Sequence, residues 1–354
     1  MSGGMERRTF LAGAGAATIA AGLHAAHAQP VAAPAEGNHA ALEVIDFHNH
    51  YVGPTFTSRA GAGAPAPLKA YFDRVNRDLA DPQALLASIE TAGVAARVVN
   101  TPLEFLQDSD ADVPADTPRR INDQLAELVG KNAGRVHGLA TVDAYGGEVA
   151  ARELTRGVRE LGLRGVFVAC AKKDMFLDAP QARPTLALAA DLGVPVFVHP
   201  ITDAQLARRF AGYGRLGISF NRATINAAAL IGLFESGTFD ELPKLRVVVT
   251  TLAIGGILLA GGLVEGRARG MRRDALEMSR RHVYIDTMGL RPELIRSAVD
   301  VLGADHVIAG TDWPISVEKS VPQRLQAALT SCGLDSVEQQ MVAGSNVLKL
   351  LRIT

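Results

Sequence analysis

A closed (β/α)8 barrel, the TIM-barrel form of the α/β class, is the fold this sequence predicts over residues 43–354. Three observations carry that prediction. Short β-branched runs recur eight times along the chain, longer amphipathic segments separate them, and several of those segments stop at a glycine shortly before the next strand. Strands that alternate with helices pair in parallel, and eight such units in one chain close into a barrel.

The strands fall at about 43–50 (EVIDFHNH), 96–101 (ARVVNT), 136–142 (VHGLATV), 165–170 (GVFVAC), 194–199 (VPVFVH), 245–251 (LRVVVTT), 282–287 (HVYIDT) and 306–311 (HVIAGT). Segments such as DPQALLASIETAG, GGEVAARELTRGVRELG and RPELIRSAVDVLG carry the helical pattern between them. The rival fold is an open doubly wound sheet, but no G-x-G-x-x-G follows the first strand. No linker divides 43–354, and a chain of 354 residues, 48% of them hydrophobic, can bury one large core. The stretch from Tyr51 to Ala80 is too long for an ordinary connection. In a barrel it is expected to lie over the C-terminal mouth as a partial lid.

The N-terminus reads as an address rather than as structure. MERRTFLAGAGAATIAAGLHAAHAQP places Arg7 and Arg8 before an Ala/Gly-rich apolar stretch and a small-residue AHA site, which resembles a twin-arginine export signal cleaved after Ala28. Met5 is an alternative start. Thr9 to Ala26 is too weakly apolar for a stable membrane anchor. Residues 29–42 are expected to form a flexible mature N-terminus with His39 exposed. Such export carries folded proteins, so a metal could be loaded before the twin-arginine machinery moves the chain to the periplasm.

Composition excludes some partners. The net charge is −1, with 36 basic against 37 acidic residues, and no basic stripe is interleaved with aromatics, so nucleic acid is not an expected partner. Cys170 and Cys332 are the only cysteines. Two do not make a disulfide framework, and Cys170 reads as a buried thiol.

Chemistry gathers at strand ends. Alternation along the first strand puts Val44, Asp46, His48 and His50 on one face, expected to line the barrel, and Ile45 and Phe47 on the other, expected to pack on helices. An H-x-H pair alone is equally compatible with polar packing. His199 closes VPVFVHP and Asp312 follows HVIAGT, both at the strand ends where barrel enzymes keep their active sites. Three imidazoles and one carboxylate at one mouth make a site for Zn²⁺ or a similar divalent ion, with a position open to water or substrate. His137, His282 and His306 begin strands at the opposite end and read as structural. Asp286 either lines the site or is a buried carboxylate bonded to backbone amides. Trp313, the lone tryptophan, is expected to wall a substrate pocket.

These motifs together resemble the amidohydrolase superfamily, in the branch of aminocarboxymuconate-semialdehyde and γ-resorcylate decarboxylases. The resemblance runs from about 43 to 352 and rests on IDFHNH, LGLRGVFVAC with FLDAP, LGVPVFVHP, SGTFDELPKLRVVV, VYIDT, GADHVIAGTDWP and GSNVLKLL. It implies that His48, His50, His199 and Asp312 hold one divalent ion, Zn²⁺ foremost and Mn²⁺ as the alternative. It also implies a carboxy-lyase or hydrolase acting on a small aromatic or cyclic carboxylic acid or lactone. Members usually carry a histidine at the end of the sixth strand; here VVVTTLAIGG puts Thr251 there. A hydroxyl does not exchange a proton near neutral pH as imidazole does, so Asp312 becomes the expected catalytic proton carrier. The competing reading is a metal-containing periplasmic binding protein that lost turnover with that histidine. A homodimer is compatible with either.

Overall fold

The computed structural model describes residues 42–62, 64, 66–260 and 274–353. The export signal lies outside the described residues, as does the mature N-terminus up to residue 41. Among the described residues, eight parallel strands follow one another around a barrel: β1 (Ile45–His50), β2 (Ala96–Asn100), β3 (Val136–Gly138, resumed after Leu139 by Ala140–Thr141), β4 (Val166–Ala169), β5 (Val196–His199), β6 (Val247–Val249), β7 (Val283–Asp286) and β8 (Val307–Ile308). Each pairs with the next in register. β8 returns to β1 through Phe47 N to Ala309 O at 2.8 Å, Asp312 N to His48 O at 2.9 Å and His50 N to Trp313 O at 2.8 Å. The sheet therefore closes, as the eight-unit pattern predicts.

Local sequence sets the helix ends. Before the helix Pro82–Ala92 the Asp81 side chain accepts from Gln83 N, proline occupies the first turn, and Gly93 at φ 72° ends the helix. Strand residues divide between two cores. Val99, Val168, Val198 and Val249 face the helices, while Phe47, Val98, Phe167, Phe197, Val248 and Ile308 fill the barrel. The terminal helix Asn346–Leu351 adds Val347 and Leu350 to the inner cluster.

One element departs from strict alternation. Ile45 pairs with Ala96 and His50 with Asn100, so β1 spends one residue more than β2 over the same span; the extra residue is a bulge between Asp46 and Asn49. Ile45 and Phe47 therefore face the barrel interior, where the Phe47 and Phe197 rings lie 5.2 Å apart, rather than the helices. After the bulge His48 and His50 also point inward, while Asp46 turns to the outside of the wall. The expectation for the faces of β1 is corrected for Val44, Ile45, Asp46 and Phe47 and holds for both histidines.

The long segment after β1 packs at the mouth. Its helix Lys69–Ala80 buries Val75 and Leu79 against Val52 and Phe105. Tyr71 Oη donates to Ile315 O at 2.6 Å and Arg74 to Pro314 O at 3.2 Å, tying the segment to the loop after β8.

Candidate metal centre

Three strand ends, those of β1, β5 and β8, bring the predicted donors together. One donor atom each from His48, His50 and His199 lies within 4.8 Å of the others, all three residues buried. Asp312 Oδ1 is 3.2 Å from His50 Nε2 and 3.5 Å from His48 Nε2.

Hydrogen bonds fix which nitrogens are free. His48 Nδ1 lies 2.6 Å from Asp286 Oδ2, and His50 Nδ1 lies 2.8 Å from Asn100 Oδ1. Both partners are oxygen acceptors, so each Nδ1 carries the proton and each Nε2 is left with a lone pair. Those two Nε2 atoms face each other at 3.2 Å, and Asp312 Oδ1 beside them is buried with no hydrogen-bond donor. With both imidazoles neutral, the lone pairs of two nitrogens and one carboxylate oxygen converge, which fits a cation: the residues present suit a divalent metal, with outward partners that orient the ligands.

The end of β7 serves both roles weighed for Asp286. One oxygen takes His48; the other accepts from Thr251 N at 2.9 Å and Met288 N at 3.1 Å. The Thr251 hydroxyl lies 2.6 Å from Asp286 O and 2.9 Å from Asp286 Oδ1. Thr251 therefore fills the sixth-strand position by gripping the carboxylate that grips His48. Gly310 makes room for this packing, since a Cβ there would stand 2.9 Å from Asp286 Cβ and 3.0 Å from His48 Cβ. Asp312 itself adopts φ 67°, in the left-handed region, held by its amide to His48 O at 2.9 Å and by Ser316 N to its carbonyl at 2.8 Å.

Charge follows this geometry. Burial disfavours the His48 imidazolium, but the Asp312 and Asp286 carboxylates outweigh it and raise its pKa above the ordinary value. Burial lowers His50, and lowers His199 strongly, with neighbouring imidazoles adding to the effect. Asp312 is opposed by burial yet held below the usual carboxylate range by His48 and His50.

The family model for amidohydrolases matches residues 45–353. The chain belongs to this family. Among curated relatives, the γ-resorcylate decarboxylase of Polaromonas sp. (strain JS666) is 29% identical over 216 residues, covering 56% of this amidohydrolase and 66% of the relative. That match falls just short of two thirds of the relative's length. The 2-amino-3-carboxymuconate-6-semialdehyde decarboxylase of Dictyostelium discoideum is 23% identical over 87% of this chain and 91% of its own. Among solved structures, a dihydroxybenzoic acid decarboxylase from Polaromonas sp. JS666, with bound manganese and the inhibitor 2-nitroresorcinol, superposes with a TM-score of 0.74. It is 22% identical and covers 88% of this chain and 97% of its own.

In this amidohydrolase a cavity opens beside His199, lined by Leu103, Glu104, Tyr145, Phe167, Lys172 and Ile201 among others. Sequence reasoning missed its charged residues. Glu104 Oε1 lies 3.6 Å from His199 Nδ1, and Arg222 from the helix Gly214–Glu235 donates to both Glu104 oxygens at 3.0 and 3.3 Å. Lys172, on a short hairpin after β4, pairs with Asp143 at 2.6 Å. Trp313 is not a wall of this cavity: its indole lies in the outer core, 5.7 Å from the Arg97 guanidinium. His282 and His306 are structural as expected, with Nδ1 bonded to Leu245 O and Val283 O, each at 2.7 Å. Cys170 is buried, and burial pushes its thiol up to about 12.

Proposed function

We propose that this amidohydrolase is a divalent-metal-dependent carboxy-lyase that removes CO₂ from a small aromatic carboxylic acid. The observation that carries the reading is the buried, donorless Asp312 Oδ1 beside the bare Nε2 atoms of His48 and His50. In this reading His48, His50, His199 and Asp312 are the ligands. Three nitrogens and one carboxylate suit Zn²⁺; Mn²⁺, the ion named for the solved Polaromonas relative, is the alternative. When bound, such an ion supplies Lewis-acid stabilisation of negative charge on a substrate oxygen.

The chain's own residues do the remainder. Phe167, Tyr145 and Leu103 offer apolar and aromatic surface for a ring beside His199. Asp312 is 16% exposed although its Oδ1 is buried, so its second oxygen is the polar atom left to meet substrate. Asp312 rests ionised and relays a proton from solvent through that oxygen to the ring carbon that bears the carboxylate; the C–C bond pair then returns to the ring and CO₂ departs. Thr251 and Asp286 hold His48 in place and move no proton.

Export to the periplasm is part of the same proposal, supported by Arg7–Arg8 and the AHA site. The enzymatic reading is tested by screening metal-loaded protein against aromatic carboxylates and lactones. Metal-dependent CO₂ release supports it. Acid release from lactones alone makes the chain a hydrolase, and ligand-induced stabilisation without product makes it a binding protein.

A further inference from the structure

We infer that a buried ion pair outside the barrel wall, Asp46 with Arg97, is the device that aims the metal ligands inward. The inference rests on the metal reading of the centre. If β1 alternated strictly, the inward placement of Ile45 and Phe47 would put Asn49 inside and turn both His48 and His50 out to the helices. The bulge between Asp46 and Asn49 is what allows Phe47 and both histidines to face the same interior.

Bulged backbone leaves ladder groups without partners, and here side chains supply them. Asn49 Nδ2 donates to Asp46 O at 2.8 Å and to Val98 O at 3.3 Å. Arg97 Nη1 donates to Asp46 Oδ2 at 2.5 Å and to Asn49 Oδ1, while its Nη2 reaches Ser88 O at 3.3 Å. The same Asp46 carboxylate accepts from Thr311 N at 3.0 Å and Thr311 Oγ1 at 2.6 Å. Thr311 immediately precedes Asp312. One carboxylate therefore ties the strand that carries two ligands to the segment that carries a third. All four side chains are at most 1% exposed, so breaking any of these bonds leaves a buried polar group to be satisfied.

Charge and shape both matter in this arrangement. A buried carboxylate without its cation is costly, and both side chains of this pair are at most 1% exposed. Only a guanidinium can reach Asp46, Asn49 and the Ser88 carbonyl at once from one planar fork. Lysine at 97 would keep the charge and lose the fork. Arg97 and Asp46 are thus positioning residues, acting on the ion through the backbone of β1.

The test is a titration of Mn²⁺ into metal-free, full-chain protein by calorimetry. Arg97→Lys is expected to weaken binding by about 10–100-fold, the usual cost of losing an outer partner of a metal ligand. Leu128→Ala, in the outer core of the helix Asp116–Lys131, is expected to lower the melting temperature and leave Mn²⁺ affinity unchanged. Parent-like affinity in a folded Arg97→Lys protein, or an equal loss in Leu128→Ala, overturns the inference and leaves the ion pair a purely structural feature. Should Arg97→Lys fail to fold, Thr311→Val removes one bond to Asp46 at constant volume and is expected to weaken Mn²⁺ in the same direction; unchanged affinity there overturns the inference equally. A parent protein that takes up no Mn²⁺ or Zn²⁺ refutes instead the metal reading beneath it.

Discussion

Gly310→Ala should damage the centre although residue 310 has no side chain to lose. The added Cβ would stand 2.9 Å from Asp286 Cβ, 3.0 Å from His48 Cβ and 3.4 Å from Asp286 Cγ. Carbon atoms rest at about 3.5–4.0 Å, so the methyl overlaps two neighbours by roughly 0.5–1 Å. Both close neighbours are Cβ atoms fixed to strand backbone, and neither can rotate away. The strand ends of β1 and β7 must instead move apart around residue 310. Overpacking of this kind costs about 1–3 kcal/mol. At roughly 2–4 °C per kcal/mol for a domain of this order of size, the melting temperature should fall by several degrees. Because the displaced groups are His48 and the carboxylate that orients it, the stabilisation gained on adding Zn²⁺ should shrink as well. Differential scanning calorimetry with and without Zn²⁺ measures both effects. A variant that melts with the parent and keeps the full metal-induced rise would refute the close packing of Gly310, His48 and Asp286.

Other outcomes follow from the same geometry. Asp312→Asn removes the basicity of the proposed proton carrier, so turnover at saturating metal should fall by roughly 10²–10⁴; a change of only a few-fold would make Asp312 a ligand alone. In the metal-free protein, His50 and His199 sit below the ordinary imidazole value, so the unfolded chain binds more protons and stability should fall as pH drops below about 6.5. His48, raised, has the opposite sign: its contribution is present below about 6.5 and is lost as pH rises through its elevated value. Urea unfolding of parent and His199→Gln across that window should show a shallower acid-side loss in the variant. Arg7→Lys with Arg8→Lys should hold the protein in the cytoplasm, measured by fractionation, because the export receptor reads the arginine pair.

Much of this architecture was legible in the sequence because it depends on period and position. Eight apolar runs separated by helical segments specify the barrel, and a ligand at the end of a strand needs no more than that strand to be placed. His199 and Asp312 were found in that way. The bulge in β1 was not, because it adds one residue to the period-2 pattern without glycine or any other local mark. IDFHNH reads the same with or without it, and only pairing with β2 decides the matter. Glu104, Arg222 and Lys172 escaped for a different reason. They come from a 3₁₀ turn, a helix and a hairpin whose meeting depends on how the barrel mouth is dressed, and charged residues in such segments look like solvated surface until packed. Thr251 reads in the sequence only as the place where a histidine is missing, because its grip on Asp286 requires β6 and β7 side by side.

In the proposed enzyme β1, β5 and the segment after β8 build a single divalent-metal site. Metal content of purified protein after equilibration with excess Zn²⁺ and gel filtration, read by inductively coupled plasma mass spectrometry, tests it most directly. A single ion per chain is expected in the parent, with loss of stoichiometric metal in the His48→Ala, His50→Ala double variant, whose remaining His199 and Asp312 are too few to hold Zn²⁺. Full occupancy in the folded double variant, or none in the parent, would contradict it.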